Sequence, residues 1–139
     1  LGAQHHPGPQ RELTRARTPP STRAVRIDHV NVIAPPGRVA DVAAFWCDVL
    51  GLVPVERHGR SGRPGAWLQG DGFQIHVSER DGPIHPDQHV ALVVDDVAAV
   101  RAAALAAGAE WEDAEPVIGS ARGFTADPAG NRVEVMTDR

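Results

Sequence analysis

Three histidines and one glutamate stand where a metal site could be assembled: His29, His76, His89 and Glu134. Their spacing is paired, with His29 and His89 60 residues apart and His76 and Glu134 58 apart, as if one pattern had been written twice. Imidazole and carboxylate donors together suit a first-row divalent ion such as Fe, Mn, Ni, Co or Zn, one per site. Three neutral imidazoles and one carboxylate around a +2 ion leave a net charge of about +1, which favours an anionic or enolate-like pair of oxygens. A single histidine in a strand is more often a satisfied polar group than a ligand; it is the repeat-related placement of four donors that carries the metal reading. His76 has a second use open to it, as an uncoordinated acid or base, because its ordinary pKa lies near neutrality.

The elements that would position these residues follow from punctuation and period. Arg26 to Ile33 alternates as a strand and Pro35-Pro36-Gly37 ends it. Val39, Val42, Trp46, Val49 and Leu50 recur at helical spacing, with Gly51 as the stop. A short strand is predicted at Leu52–Arg57, then a Gly/Arg/Pro loop at 58–65. Ala66–Gln69 and Phe73–Glu79 read as strands joined by Gly70-Asp71-Gly72. Gln88–Val94 reads as a strand, and Asp95-Asp96 opens an alanine-rich helix, Val97–Ala107, ended by Gly108. Weak strands near 110–118, a strand at 122–126, the turn Asp127-Pro128-Ala129-Gly130 and a strand at Asn131–Thr137 complete the chain.

Each half therefore runs strand, helix, then three strands. Asp28-His29-Val30 matches Gln88-His89-Val90, and the run from Gly72 to Val77 matches that from Gly130 to Val135. One half alone would leave a sheet face bare, so two modules, 24–83 and 87–139, are expected to form one domain. Strand parity sorts the faces. Val30 and Val32 share one face and His29 and Asn31 the other; Ile75 and Val77 oppose Gln74, His76 and Ser78; Val90, Leu92 and Val94 oppose His89; Val133 and Val135 oppose Arg132, Glu134 and Met136. Each of the four strands that carry a donor thus has an apolar face for its helix and a second face bearing that donor. If the two sheets curve toward each other, the four donors converge.

The segments Ile27-Asp28-His29-Val30, Phe45 to Leu52, His89 to Asp96 and Asp127 to Val135 resemble the vicinal oxygen chelate superfamily, which holds glyoxalases, extradiol dioxygenases, methylmalonyl-CoA epimerases, and fosfomycin and bleomycin resistance proteins. The resemblance spans about residues 25–138. It implies an α+β fold of two βαβββ modules forming a cupped, incomplete barrel-like sheet around a metal, often in a homodimer whose sites use both chains. It places family ligands at His29, His89 and Glu134, a set similar to the two-histidine, one-carboxylate site of the dioxygenases. The fourth-strand position, a glutamate in glyoxalases, is His76 here. Similar proteins often carry an arginine at the position of Arg122, able to pair with a substrate carboxylate. Gln74 and Arg132 share the ligand faces and are candidates for bonds to substrate or to the ligands, and Trp67 and Phe124 for lining the cavity. Two departures bear on the reaction: there is no tyrosine to orient a catecholate, and no lysine near a phosphonate.

The resemblance implies a metal-dependent lyase or isomerase, or a ring-cleaving dioxygenase, with His76 and Glu134 as catalytic residues and a small molecule as substrate. The alternatives are a bleomycin-resistance-like protein that sequesters a drug or metabolite, and a degenerate module serving a larger assembly.

Composition sets the outer bounds. The 139 residues are 42 % hydrophobic and 23 % charged with a net charge of −4, and all 14 basic residues are arginine. The negative charge argues against nucleic acid as partner. No apolar stretch approaches the roughly 20 residues that span a bilayer. The single Cys47 excludes an internal disulfide and fits a reducing, cytoplasmic compartment; it reads as a buried inert thiol beside Trp46, a helix-core residue. Residues 1–23 carry four arginines against Glu12 and read as a flexible leader, with His5-His6 a minor metal candidate. Asp127 is read as shaping its turn, and His58 and His85 as solvated loop residues.

Overall fold

The computed structural model of the protein describes residues 25–59 and 62–139; the 1–23 leader with His5 and His6 lies outside the described residues. Alternating strand residues and two 3.6-period helices arrange themselves as β1 (His29–Ala34), α1 (Val39–Asp48), β2 (Val53–Val55), β3 (Gly65–Gln69) and β4 (Gln74–Glu79), followed by β5 (His89–Val93), α2 (Val97–Ala106), β6 (Trp111–Val117), β7 (Ser120–Ala126) and β8 (Arg132–Met136). The order β1-β4-β3-β2 in one sheet is repeated as β5-β8-β7-β6 in the other. In each module the helix crosses over so that the first strand lies parallel to the last, while the other pairings are antiparallel. The duplicated order of elements read from the sequence is the observed one, in two open four-stranded sheets.

The module boundaries are set locally. Gly51 and Gly108 follow α1 and α2 with positive φ, +73° and +79°, the left-handed stop that a side chain resists. Asp96 caps α2 by accepting from the Ala99 backbone N–H at 3.0 Å. β1 begins at His29, three residues later than its alternation predicts. Its in-sheet neighbour β4 begins only at Gln74, whose N–H bonds the Asp28 carbonyl, so Val25 and Ile27 have no ladder to join and are exposed. The weak strand near 110–118 is a full one, and β7 starts at Ser120. Between them Ile118 and Gly119 both take positive φ, 51° and 77°, as a two-residue hairpin of this hand demands.

Burial follows the parity. Val32, Ala34, Leu68, Ile75 and Val77 meet Val42, Phe45 and Trp46 of α1, and Val133 and Val135 meet the second helix, whose one fully buried residue is Ala104. Met136 departs from the expected alternation: it sits on the Glu134 face yet is buried, in register with Val93 on one side and Arg122 on the other.

One buried carboxylate ties the modules together. Asp127, 4 % exposed, accepts from Trp46 Nε1 of α1 at 3.0 Å and from Asn131 Nδ2 at 2.7 Å on Oδ2, and from the Ala129 and Asn131 backbone N–H groups at 3.0 Å on Oδ1. The second Asn131 amide hydrogen goes to the Ile33 carbonyl of β1 at 2.8 Å. Asp127 thus shapes its turn, as the sequence indicates, and also anchors the second module on the first.

Removing that carboxylate strands four donors, at least two of them buried. Asp127→Ala is expected to lower unfolding free energy by about 3 kcal/mol or more, and Trp46→Phe, which removes one donor, by about 1.5 kcal/mol. Urea unfolding of both variants checks this, and a loss for Asp127→Ala no larger than for Trp46→Phe would contradict the anchoring role.

Candidate functional site

The repeated register puts the four donors in two equivalent pairs. His29 lies opposite Gln74, two residues before His76 on β4, and His89 lies opposite Arg132, two residues before Glu134 on β8. Diagonal neighbours on one sheet face are within reach of long side chains. The third strands match as well: Trp67 is directly opposite His76 and Phe124 directly opposite Glu134. Each module therefore presents a donor from its first strand, a donor from its last strand and an aromatic ring beside the latter.

In the first module these become a stack. The Trp67 and His76 rings lie 4.3 Å apart at 4°, and the His76 and His29 rings 4.0 Å apart at 13°. The spacing of neighbouring strands, close to 4.8 Å, brings flat rings face to face across β3, β4 and β1. His58, expected to be solvated, meets the Trp67 ring edge-on at 6.0 Å. His29 Nδ1 donates to Asp28 Oδ2 at 2.8 Å, and His76 Nε2 is 2.8 Å from Gln74 Oε1. Burial, and then the neighbouring His29, hold the His76 pKa below its ordinary value, against the opposing pull of Asp28. The hydrogen bond from His29 lowers that of Asp28.

The second module is ionic. Glu134, its side chain 13 % exposed, places Oε2 3.1 Å from His89 Nε2 and Oε1 3.0 Å from Arg122 Nη1. Arg122 also donates through Nε to the Glu115 carbonyl at 2.8 Å, so its guanidinium is engaged by the protein itself. Arg132 lies over the Phe124 ring at 4.2 Å and bonds Glu112, and His89 meets Phe124 edge-on at 5.5 Å. His89 Nδ1 is 3.0 Å from the Asp87 carbonyl. A carbonyl only accepts, so Nδ1 carries hydrogen, and Nε2 then bonds Glu134 only through a second proton or a shared cation.

Each imidazole has one nitrogen held by an acceptor outside the donor set: an Asp28 carboxylate for His29, a Gln74 amide oxygen for His76, a backbone carbonyl for His89, whose other nitrogen meets Glu134. This is how metal-binding histidines are oriented by their neighbours. Asp28, Asp87 and Gln69, a further partner of Gln74, are functional candidates that reading by residue type missed; for Asp28 the signal was its place immediately before His29.

One chain does not bring the four donors together. Among the described residues no three His, Cys, Asp or Glu side chains are grouped closely enough to hold a metal ion; His29 joins His76, and His89 joins Glu134. A cleft of about 460 Å³ runs along the seam between β1 and β5, lined by Asn31, Ile84, His89 and Arg132 among others, and of the four donors it includes His89. Trp46 is core, as expected. Burial and Asp48 push the half-buried Cys47 thiol up, which fits an inert thiol. His85 sits in its loop, accepting from the Asp87 N–H at 3.2 Å.

A family model described as a glyoxalase-like domain matches residues 31–136. No curated protein sequence matches the chain. Among solved structures, a glyoxalase family protein from Bacillus anthracis is 25 % identical with a TM-score of 0.76, covering 84 % of this chain and 98 % of its own. The oxidase ChaP-H2 is 23 % identical with a TM-score of 0.67, over 84 % of this chain and 96 % of its own. A fosfomycin resistance protein, FosX, from Listeria monocytogenes, complexed with Mn(II) and 1S,2S-dihydroxypropylphosphonic acid, is 14 % identical with a TM-score of 0.71, over 84 % and 95 %. No helix among the described residues is long and apolar enough to cross a membrane.

The lowered His76 pKa has a pH consequence. Near and below the ordinary value of 6.5 the unfolded chain binds more protons at this group than the folded one, so stability falls as pH drops through about 6.5. Between about pH 8 and about pH 5 the Tm of the wild-type chain is expected to fall more than that of His76→Gln. Equal falls, measured by thermal unfolding, would remove His76 as a cause.

Proposed function

Because this chain belongs to the glyoxalase-like domain family, within the vicinal oxygen chelate superfamily, we propose that it is a divalent-metal-dependent enzyme of the lyase/isomerase or dioxygenase kind, acting on a small molecule held through two adjacent oxygens. The observation that carries the reading is the matched pair of donor sets, in which each imidazole has one nitrogen held by an acceptor outside the set and His89 turns its other nitrogen to Glu134. The donor chemistry fits a first-row divalent ion.

His29, His76, His89 and Glu134 would hold one ion per site. One chain carries two half-sites, so the reading includes a homodimer in which the first-module pair of one copy faces the second-module pair of the other, giving two equal sites. The chemistry such an ion supplies when bound is Lewis-acid stabilisation of an enolate- or catecholate-like charge. The chain's own residues do the rest. Glu134 anchors His89 and Arg122. His76, kept neutral near neutral pH by its lowered pKa, serves as a ligand or takes a substrate proton. Trp67, Phe124, Gln74, Arg122 and Arg132 shape the cup around the substrate. The cytoplasm, where a lone cysteine stays reduced, is the compartment this reading implies.

A second reading, a bleomycin-resistance-like protein that binds a drug or metabolite without turnover, is favoured by the aromatic rings at equivalent positions, Trp67 and Phe124, beside the donors.

Metal analysis separates the two. The purified protein is expected to hold about one divalent ion per chain, falling at least roughly tenfold in His89→Ala and Glu134→Ala. Full occupancy with lost turnover in His76→Ala would assign that residue to proton transfer. A metal-free protein with undiminished ligand binding in the His89 and Glu134 variants would rule out the enzyme reading. Fe(II) would point to oxygen chemistry, and Ni, Zn, Mn or Co to isomerase-like chemistry.

A further inference from the structure

His76 does not choose its free nitrogen alone. Gln69 closes β3 and Gln74 opens β4, directly opposite each other across the hairpin turn. The Gln69 amide nitrogen donates to two backbone carbonyls, Gly70 at 2.7 Å and Phe73 at 2.9 Å. Carbonyl oxygens only accept, so the NH2 group of Gln69 is fixed at that end and Oε1 must point the other way. There it receives Gln74 Nε2 at 2.9 Å. The Gln74 amide is oriented in turn, and its oxygen faces His76 Nε2 at 2.8 Å. An amide oxygen cannot donate, so the hydrogen in this last bond belongs to His76 Nε2, and in the neutral ring Nδ1 is bare.

We infer that Gln69 and Gln74 are positioning residues: a two-amide relay, anchored on the carbonyls of the β3–β4 turn, fixes neutral His76 as the Nε2–H tautomer and makes Nδ1 its reactive nitrogen. Trp67 and His29 clamp the ring from both faces, so a half-turn about the Cβ–Cγ bond, which would put Cε1 in place of Nε2 beside the Gln74 oxygen, is opposed by the stack as well as by the hydrogen bond. His29 and His89 carry the opposite pattern, with Nδ1 bonded to an acceptor, and His89 Nε2 meets Glu134. The use of Nδ1 as ligand or base rests on the function proposed above; the tautomer does not.

Long-range ¹H–¹⁵N correlation spectra of the full-length protein at about pH 8, where the ring is neutral, read the tautomer from the two ring nitrogens. His76 is expected to favour Nε2–H over Nδ1–H by at least roughly tenfold, since the other tautomer sets two acceptors against each other. In Gln74→Leu, and in Gln69→Leu where the Gln74 amide is free to reverse, that preference should fall to a few-fold. A hydrogen on Nδ1 in the wild-type protein overturns the inference whether or not either variant folds, and so does an unchanged preference in both folded variants. Addition of Zn(II) tests the function separately. A shift at Nδ1 with Nε2–H retained supports both; a fixed tautomer whose signals ignore Zn(II) leaves the relay intact and counts against the metal site.

Discussion

The buried Asp127 carboxylate is the contact on which the arrangement of the two modules depends. It is filled by four hydrogen bonds that come from the α1 indole and from its own turn, and through Asn131 it reaches the backbone of β1. A carboxylate with its acceptor capacity met in this way is tolerated in the interior, where an unmet one would be costly. The turn between β7 and β8 is therefore held to α1 by directional bonds as well as by apolar contact. Since β8 carries Glu134 and α1 covers the sheet that carries His29 and His76, the same bonds fix how the two donor pairs are disposed in one chain.

Within each module a second constraint acts, the parallel pairing of first and last strands. Because the register is the same in both, a residue two positions on from the paired one always sits diagonally across from the first-strand histidine. The scaffold repeats while the chemistry does not. In the first module the diagonal partner is an imidazole and the flanking ring an indole, so the side chains stack. In the second the partner is a carboxylate and Arg122 lies one strand away, so they form an ion cluster. A single duplicated backbone thus gives an aromatic, weakly polar half and a charged half.

Much of this was legible in the sequence. The order of elements, the helix stops at Gly51 and Gly108, the face shared by His29 and His76, and the equivalence of His76 with Glu134 all follow from period and repeat. What was not legible depends on neighbours across strands. Nothing in the residue types says that Arg122 turns to Glu134, that Met136 is covered on an otherwise polar face, or that Gln69 orients Gln74. Parity assigns a side chain to a face and says nothing about which atoms it meets there. β1 starts later than its alternation predicts for a related reason: alternation continues through Arg26 to Asp28, but a strand ends where its partner does.

The engagement of Arg122 alters the charge balance of the proposed site. Counting donors alone, a divalent ion with one carboxylate and neutral imidazoles carries about +1. With Arg122 Nη1 3.0 Å from Glu134 Oε1, the carboxylate is shared with a guanidinium that never loses its proton. Sharing weakens Glu134 as a donor, because part of its charge is already answered, and brings the local total to about +2. Weaker hold on the ion and stronger attraction for a dianionic or enolate-like ligand are two results of one ion pair. Within the first module, burial and then the neighbouring His29 disfavour charge on His76. In the proposed site, negatively charged oxygens would therefore meet the second-module donors, and the flat rings of the first module would face the remainder of the ligand.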